Sequence, residues 1–418
     1  MKRTLAVLAV VALFGAACGD DKKADSGTAT TTAPATKASS ITVEVDGAPD
    51  DLSMSALAYF PKAVTVHAGD KVSFHSNDTG EPHTVTLGAL VNDGLTAFNG
   101  LPDEIKNADG PPDPSKLPAD QAALVARFMA LDKKLPPLLP DGPGDANQLS
   151  ANPCFLASGD PKPDAACEKT AQPAFDGKQS VYSSGYLAED AMFDVTLADD
   201  IAAGTYSFMC LLHRQGMTGT ITVVADDADV PSAADVKKAA ADELESRFAS
   251  KLRPAAATLA TKAVGDAVAG SPPLKGEEDL EASLNAFGPG EATVKAGSAM
   301  TWTVFGPHTI SINAPEDAKG VFVRAPDGTW HANEKAFKPE GGAGAPPPPE
   351  GDAGPPDPKA KPVLIDGGSY DGTGYHSSGV ILSFGAPVYQ YKLTFTKAGT
   401  YKIQCQIHPA MKGTVNVT

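Results

Sequence analysis

Short runs in which apolar and polar residues alternate recur along this chain of 418 residues. Such alternation predicts β-strands with one buried face. Clusters of Gly, Pro, Asn and Asp, which favour turns, lie between the runs. The pattern therefore predicts a mainly β protein with two β domains. The runs fall into two groups, residues 41–45, 63–66, 71–74, 84–87, 192–197 and 204–223, and residues 292–297, 300–304, 391–395 and 399–417.

A helical periodicity separates the two groups. Ser232 and Asp235 have nearly the spacing and chemistry of a capping box, and apolar residues then recur every four positions, which predicts a helix with one apolar face. Pro254 is expected to break or kink this helix, and a second Ala-rich stretch continues to about Val268. We predict a helical connector here, and a further helix at residues 119–131 inside the first domain.

The second β group repeats the first. Residues 204–220 and 399–414 both run Gly-Thr-Tyr, then Cys, His and Met within one loop, then Gly-Thr. The segments Val-x-Ala-Gly and Pro-His-Thr also recur upstream of each loop. This predicts a duplicated domain with unrelated insertions at the same place in each copy. The predicted organisation is a first domain at 41–225 with an insertion at about 90–180, a helical connector at 226–285, and a second domain at 286–418 with an insertion at about 313–375.

The N-terminus predicts export. Lys2 and Arg3 precede an apolar run, residues 5–14, which is too short to span a bilayer and is typical of a signal peptide. Residues 15–21 resemble a bacterial lipobox, which implies that Cys18 is lipidated. Gly15 departs from that pattern, and an ordinary secreted protein cleaved nearby is the alternative.

The predicted location is therefore extracytoplasmic, with a lipid anchor in the bacterial cell membrane. Residues 1–18 are assigned to the lipoprotein signal. Residues 19–40, which are polar and rich in Ala, Thr, Ser and Lys, predict a disordered tether. The net charge of −17 argues against a nucleic-acid partner.

The five cysteines divide into three groups. Cys18 is assigned to lipid, and Cys210 and Cys405 lie in the repeated loops. The remaining pair, Cys154 and Cys167, is predicted to form a disulfide in this oxidising compartment. The alternative, a third metal site, lacks a nearby His.

The repeated loops supply a thiol, an imidazole and a thioether, and an upstream His in each domain completes the set. Two imidazoles and one thiolate with a weak axial thioether suit copper above other metals. We therefore predict two type 1 copper sites. Site one consists of His83, Cys210, His213 and Met217, and site two of His308, Cys405, His408 and Met411.

Both halves resemble cupredoxins of the plastocyanin and amicyanin kind. The resemblance is carried by the repeated Cys-x2-His loop, which ends in Met and Gly-Thr, and by the Pro-His-Thr segments. It covers residues 40–90, 180–224, 286–312 and 376–418. It implies two Greek-key β-sandwiches, with His83 and His308 as upstream imidazole ligands, Cys210 and Cys405 as thiolates, His213 and His408 as second imidazoles, and Met217 and Met411 as axial ligands. Cys and Met are seven positions apart in the first loop and six in the second, so only the second matches the short amicyanin-type loop.

The resemblance also implies single-electron transfer with a redox partner protein that the sequence does not identify. Copper oxidases and nitrite reductases resemble tandem cupredoxins, but they need further His ligands. Here Met209 and Gln404 precede the two candidate thiolates, and the chain has no His-x-His. We therefore expect a carrier and not an enzyme, with copper capture, delivery or sensing as the alternative. The remaining histidines are expected at the surface or in loops: His67, His75, His331 and His376.

Overall fold

Two β-sheets enclose one apolar core in each half of the chain. The computed structural model describes residues 39–77, 79–106, 113–135, 137–139, 145–152, 172–261, 267–272, 274, 280–345, 360–383 and 387–418. These residues belong to one unit, Ala38–Thr418. The predicted signal peptide, Cys18, the tether up to residue 38, and the pair Cys154 and Cys167 lie outside the described residues.

The first half has a four-stranded sheet in the order β3-β1-β5-β8 and a five-stranded sheet in the order β4-β10-β9-β6-β7. Both sheets send side chains into one core, where Val43, Phe74, Phe208 and Ile221 are fully buried, so the half is a sandwich. The strands are β1 (Ser40–Val45), β2 (Met54–Ala56), β3 (Tyr59–Phe60), β4 (Ala63–His67), β5 (Lys71–Ser76), β6 (Thr86–Leu87), β7 (Tyr182–Ser183), β8 (Met192–Thr196), β9 (Gly204–Cys210) and β10 (Arg214–Val224).

The second half repeats this strand order. Its two five-stranded sheets run β13-β11-β15-β23-β20 and β14-β25-β24-β17-β21, and within these two sheets only β20 has no counterpart in the first half. The matched order supports the predicted duplication. The strands are β11 (Ala267–Ala269), β12 (Ala282–Leu284), β13 (Phe287–Gly288), β14 (Glu291–Val294), β15 (Ser298–Val304), β16 (Gly306–His308), β17 (Ser311–Ile312), β18 (Phe322–Arg324), β19 (Trp330–Ala332), β20 (Val363–Tyr370), β21 (His376–Ser377), β22 (Ile381–Ser383), β23 (Tyr389–Phe395), β24 (Gly399–Gln404) and β25 (Lys412–Val417).

Helices occupy the insertions and the connector. The helix predicted at residues 119–131 is present as α3. None of the helices in the described ranges has both the length and the apolar character that a bilayer crossing requires. The helices are α1 (Ala89–Asn99), α2 (Asp103–Lys106), α3 (Ala119–Asp132), α4 (Gln148–Ala151), α5 (Ala233–Leu244), α6 (Ser250–Ala260) and α7 (Glu334–Phe337), with 3-10 turns at Pro114–Lys116 and Glu316–Ala318.

The connector starts as predicted, because Ser232 and Asp235 form a complete capping box at the start of α5. Pro254 does not end the helix but lies inside α6. A π-helical turn, Glu245–Ala249, lies between α5 and α6.

The connector predicted at residues 226–285 is not helical throughout. Two short strands lie within it: β11, which pairs with β15 inside the second sandwich, and β12, which pairs with β2 of the first half. Both β11 and the end of β12 are buried, so packing outweighs the helical preference of the Ala-rich sequence.

The insertion of the first half reaches the second half. Leu138 and Ala151 belong to the apolar core of the second sandwich. Gln148 accepts a hydrogen bond from the Trp330 amide at 3.0 Å and donates one to the Trp330 carbonyl at 2.6 Å. The insertion therefore helps to hold the two sandwiches together.

His75, on β5, makes stability depend on pH. Its ring nitrogens lie 2.7 Å from Glu44 and 2.9 Å from Asp190. Burial lowers the pKa of His75, but the hydrogen bonds to Asp190 and Glu44 outweigh burial and leave the pKa raised. The stabilisation is therefore fully present below the unfolded pKa of about 6.5 and is lost as the pH rises through the folded pKa.

The substitution His75→Gln is expected to lower the free energy of unfolding by about 0.5–1 kcal/mol at about pH 5.5, a small loss because these groups are partly exposed. The loss should be smaller at about pH 9, because the ion pair is lost as the pH rises through the folded pKa. Urea unfolding of both proteins at the two pH values measures the difference. An equal loss at both values would contradict the ion pair.

Candidate metal centres

The first candidate site lies where β9 meets β10. Cys210 ends β9, and His213 comes just before Arg214, whose φ of 51° turns the chain back. The ligand atoms of His83, Cys210 and His213 all lie within 4.8 Å of one another. His83 and Cys210 are buried, whereas His213 is partly exposed. The fold therefore brings together His83 and Cys210, which lie 127 positions apart in the sequence.

Met217 enters the same core through a bulge. The pairing of β10 with β9 shifts register between Arg214 and Thr218, so the intervening residues leave the ladder. Met217 is fully buried and belongs to the same apolar cluster as Cys210. The bulge accommodates the additional residue by which this loop exceeds the second one.

The second candidate site is built in the same way between β24 and β25. The Sγ atom of Cys405 lies 3.5 Å from Nδ1 of His408 and 4.0 Å from Nδ1 of His308. The two Nδ1 atoms are 3.1 Å apart. The amide of Met411 donates to the His408 carbonyl at 3.0 Å and so closes the loop. All four side chains are buried, and both imidazoles present Nδ1 to the sulfur.

The surroundings of both cysteine thiols lower their pKa and favour the thiolate. Burial raises the pKa of Cys210, but the imidazoles of His213 and His83 outweigh it and hold the pKa well below its usual range. The same competition, with His408 and His308, lowers the pKa of Cys405. Backbone amides also point at the sulfur atoms: the amides of Thr84 and Leu212 lie 3.4 Å from Cys210, and that of Thr309 lies 3.4 Å from Cys405. A thiolate is the form that binds a metal.

The partners of the upstream histidines differ between the sites. Nε2 of His83 lies 3.0 Å from the buried carboxylate of Asp46. Burial lowers the pKa of His83, but Asp46 and Cys210 raise it to about 10. The corresponding turn of the second half holds Gly270, where a Cβ would lie 2.4 Å from Nε2 of His308. Burial accordingly lowers the pKa of His308, and among the described residues its Nε2 has no hydrogen-bond partner.

The second imidazole of site two has a carboxylate partner from the first half. Nε2 of His408 lies 3.2 Å from Oε1 of Glu81. Burial lowers the pKa of His408, but Cys405 and Glu81 raise it to about 10. A carboxylate on Nε2 leaves Nδ1 as the metal-binding nitrogen and orients the ring.

The donor set fits copper. Each site offers one thiolate and two imidazoles that converge from a rigid β framework, with a buried methionine in the same core. At site one, Nδ1 of His213 is buried without a hydrogen-bond partner among the described residues, as expected of a nitrogen that faces a metal. Two imidazoles with one thiolate and an axial thioether are the ligands of blue-copper centres.

Each half is a β-sandwich with the same strand order and one His-Cys-His group, as the cupredoxin resemblance of its sequence predicts. No protein-family model and no curated protein matches the sequence. The fold assignment therefore rests on the sheets and on the ligand arrangement of this chain.

Solved structures of two auracyanins and a pseudoazurin resemble parts of the chain. The reduced auracyanin of Roseiflexus castenholzii is 19% identical, with 44% of this chain and 97% of that chain covered, at a TM-score of 0.21. Auracyanin A of Chloroflexus aurantiacus is 17% identical, with 44% of this chain and 98% of that chain covered, at a TM-score of 0.19. A pseudoazurin of Sinorhizobium meliltoi is 16% identical, with 50% of this chain and 98% of that chain covered, at a TM-score of 0.17. Each is a likeness to a part of this chain.

The remaining histidines lie outside these groups. His67, His75 and His331 are partly exposed and contact a carbonyl or a carboxylate. The expectation is wrong for His376, which is buried and bonds the Tyr391 hydroxyl at 2.8 Å, because β21 packs against the core of the second half.

Sequence reasoning missed the carboxylates that face the ligands. Asp46 follows β1 in a left-handed conformation, with a φ of 61°, and Gly270 has a φ of 79° at the matching position after β11. Alignment of β1 with β11 would have exposed the Asp-to-Gly difference. No sequence signal places Glu81 beside His408, because the contact depends on how the two halves pack.

Proposed function

We propose that this chain is an electron carrier with two type 1 copper sites. The observation that carries the proposal is the pair of matched groups in which imidazole Nδ1 atoms converge on a buried cysteine sulfur. When bound, copper supplies a one-electron couple between Cu(I) and Cu(II). The roles of the residues follow from their chemistry: the cysteines would bind copper as thiolates, the imidazoles would bind it through nitrogen, and buried Met217 and Met411 would supply thioethers and exclude water.

The surrounding fold suits electron transfer. Each thiolate is held by backbone amides, and each site joins an upstream His to a hairpin loop. Such a frame changes little when the charge of the metal changes, which keeps the cost of moving an electron low. Met209 packs under the insertion beside Val91 and Leu95, so an apolar side chain occupies the position before the first thiolate.

The location and the partner belong to the same proposal. An export signal and lipidation of Cys18 would place the carrier outside the cytoplasm, on a tether at the cell membrane. Its partner would be a redox protein. Copper delivery uses the same ligands, so exchange of the metal must be measured.

Anaerobic titration of the copper-loaded protein with a reductant tests the function. We expect the visible band to bleach with one electron per copper, to return on reoxidation, and to persist in the presence of a competing chelator. Irreversible bleaching, or rapid transfer of copper to the chelator, would favour the delivery alternative.

Replacement of Cys210→Ser is expected to remove the thiolate-to-copper band of site one and to leave that of site two. The reason is that each thiolate lies in a separate sandwich core, Cys210 in the first and Cys405 in the second. Visible spectra and metal content measure the change, and Cys405→Ser is the matched control with the opposite result. Loss of both bands from one substitution would contradict independent sites.

A further inference from the structure

A strand pair with local two-fold symmetry, β2 and β12, joins the two sandwiches. These strands pair antiparallel, with Ser55 opposite Ser283. The two serines are equivalent, because they lie the same number of residues before Pro61 and Pro289, which follow β3 and β13. Two amide-to-carbonyl hydrogen bonds of 2.9 Å and 2.8 Å flank the pair symmetrically. The halves therefore associate as a pseudo-symmetric dimer within one chain.

This arrangement sets the first half against the ligand loop of site two. A Cβ on Gly80 would lie 1.9 Å from the carbonyl oxygen of Ile407, so the two backbones are in contact. The next residue, Glu81, reaches Nε2 of His408 at 3.2 Å. His408 is only 1% exposed. The outer edge of this ligand is therefore covered by the other half and not by solvent.

Glu81 is also joined to site one through the main chain. It lies two residues before the candidate ligand His83. The symmetry-related position, two residues before His308, is Gly306, so this contact has no counterpart on the other side of the axis. Glu81 thus connects the two ligand sets.

We propose that Glu81 links the two copper centres, so that an electron passes between them through the Glu81–His408 hydrogen bond and the main chain from Glu81 to His83. This rests on the proposed function. In each transfer, Cu(I) at one site is oxidised to Cu(II) while Cu(II) at the other is reduced to Cu(I). The Nε2 proton remains on His408, and no bond is made or broken.

The exposure of the ligands indicates which site a redox partner can reach. Of the eight candidate ligands, His213 alone is partly exposed, and the seven others are buried. A partner protein therefore meets a ligand edge at site one. Site two exchanges electrons with the partner by way of site one and Glu81.

Pulse radiolysis of the copper-loaded full chain tests the link. A radical reductant is expected to reduce site one first, and a slower, concentration-independent phase then follows as the electron redistributes. The Cys210→Ser and Cys405→Ser proteins supply the spectrum of each site alone. In Glu81→Leu the redistribution rate is expected to fall by about tenfold or more. In Glu81→Gln, whose amide oxygen still accepts the hydrogen bond, the rate should stay close to that of the unchanged chain.

A matched control removes the same charge elsewhere. Glu316→Leu changes a carboxylate whose side chain is 87% exposed, and it should leave the rate unchanged. Equal rates in Glu81→Leu and the unchanged chain, with two coppers bound in each, would overturn the link alone. Failure of either site to bind copper would overturn the proposed function and the link with it. The copper count distinguishes the two failures.

The metal-free protein gives a second readout. The His408 Nε2 proton should give a downfield NMR resonance because it is hydrogen-bonded to Glu81. That resonance should be retained in Glu81→Gln and lost in Glu81→Leu. Its persistence in Glu81→Leu would show that another group holds the ring and would overturn the role of Glu81.

Discussion

Replacement of Gly270→Ala is expected to abolish copper binding at site two and to leave site one filled. The Cβ would lie 2.1 Å from the carbonyl oxygen of Phe305 and 2.4 Å from Nε2 of His308, so the backbone or the ligand must move. Gly270 also has a φ of 79°, which disfavours a side chain. We expect the free energy of unfolding to fall by about 3 kcal/mol or more. Metal analysis and urea unfolding measure the two effects.

Gly368 provides the matched control. Its φ is 78°, but a Cβ there meets nothing within 4 Å. Gly368→Ala should therefore show the backbone strain alone, about 1–2 kcal/mol, with both coppers retained. If Gly270→Ala bound two coppers with an unchanged spectrum, the close contact with His308 would be refuted.

Replacement of Asp46→Ala is expected to cost about 3–5 kcal/mol of unfolding free energy, because a buried charge network loses its only carboxylate. Asp46 accepts hydrogen bonds from the amides of Gly47 and Ala56, both at 2.6 Å, from the Thr79 hydroxyl at 2.7 Å, and from Nε2 of His83 at 3.0 Å. Copper affinity at site one should also fall by about 10–100-fold, since His83 loses the partner that orients it.

The conservative variant separates charge from hydrogen bonding. Asp46→Asn keeps an acceptor and tolerates the left-handed conformation, so its loss of stability should be smaller. The reduction potential of site one should rise, because a negative charge that favours Cu(II) is removed, while that of site two should stay constant. Spectroelectrochemistry of the loaded variants gives both potentials. An unchanged potential at site one in Asp46→Asn would contradict the role assigned to Asp46.

The sandwiches and ligand loops could be predicted because their signals are local. Alternation marks strands such as β9, and the duplicated loop sets Cys, His and Met at fixed spacing on either side of one turn. The upstream histidine could be found because the same short segment precedes both insertions. These features depend on a few neighbouring residues and leave the same pattern twice in one chain.

The features that could not be predicted depend on contacts between distant residues. β11 is three residues long and Ala-rich, and only its pairing with β13 and β15 makes it a strand. Glu81 meets His408 across 327 positions, through the packing of two halves. Asp46 looks like an ordinary turn residue until the fold buries it beside His83. Tertiary packing, and not local preference, decides each of these.

The central claim is that one chain holds two type 1 copper sites, and copper analysis tests it most directly. The purified full chain should be loaded with copper, freed of excess metal, and measured for copper per chain and for its visible and EPR spectra. The account predicts two copper ions per chain and intense thiolate-to-copper absorption, halved in Cys210→Ser and in Cys405→Ser. A copper content near zero after loading, or two coppers without thiolate-to-copper absorption, would contradict it.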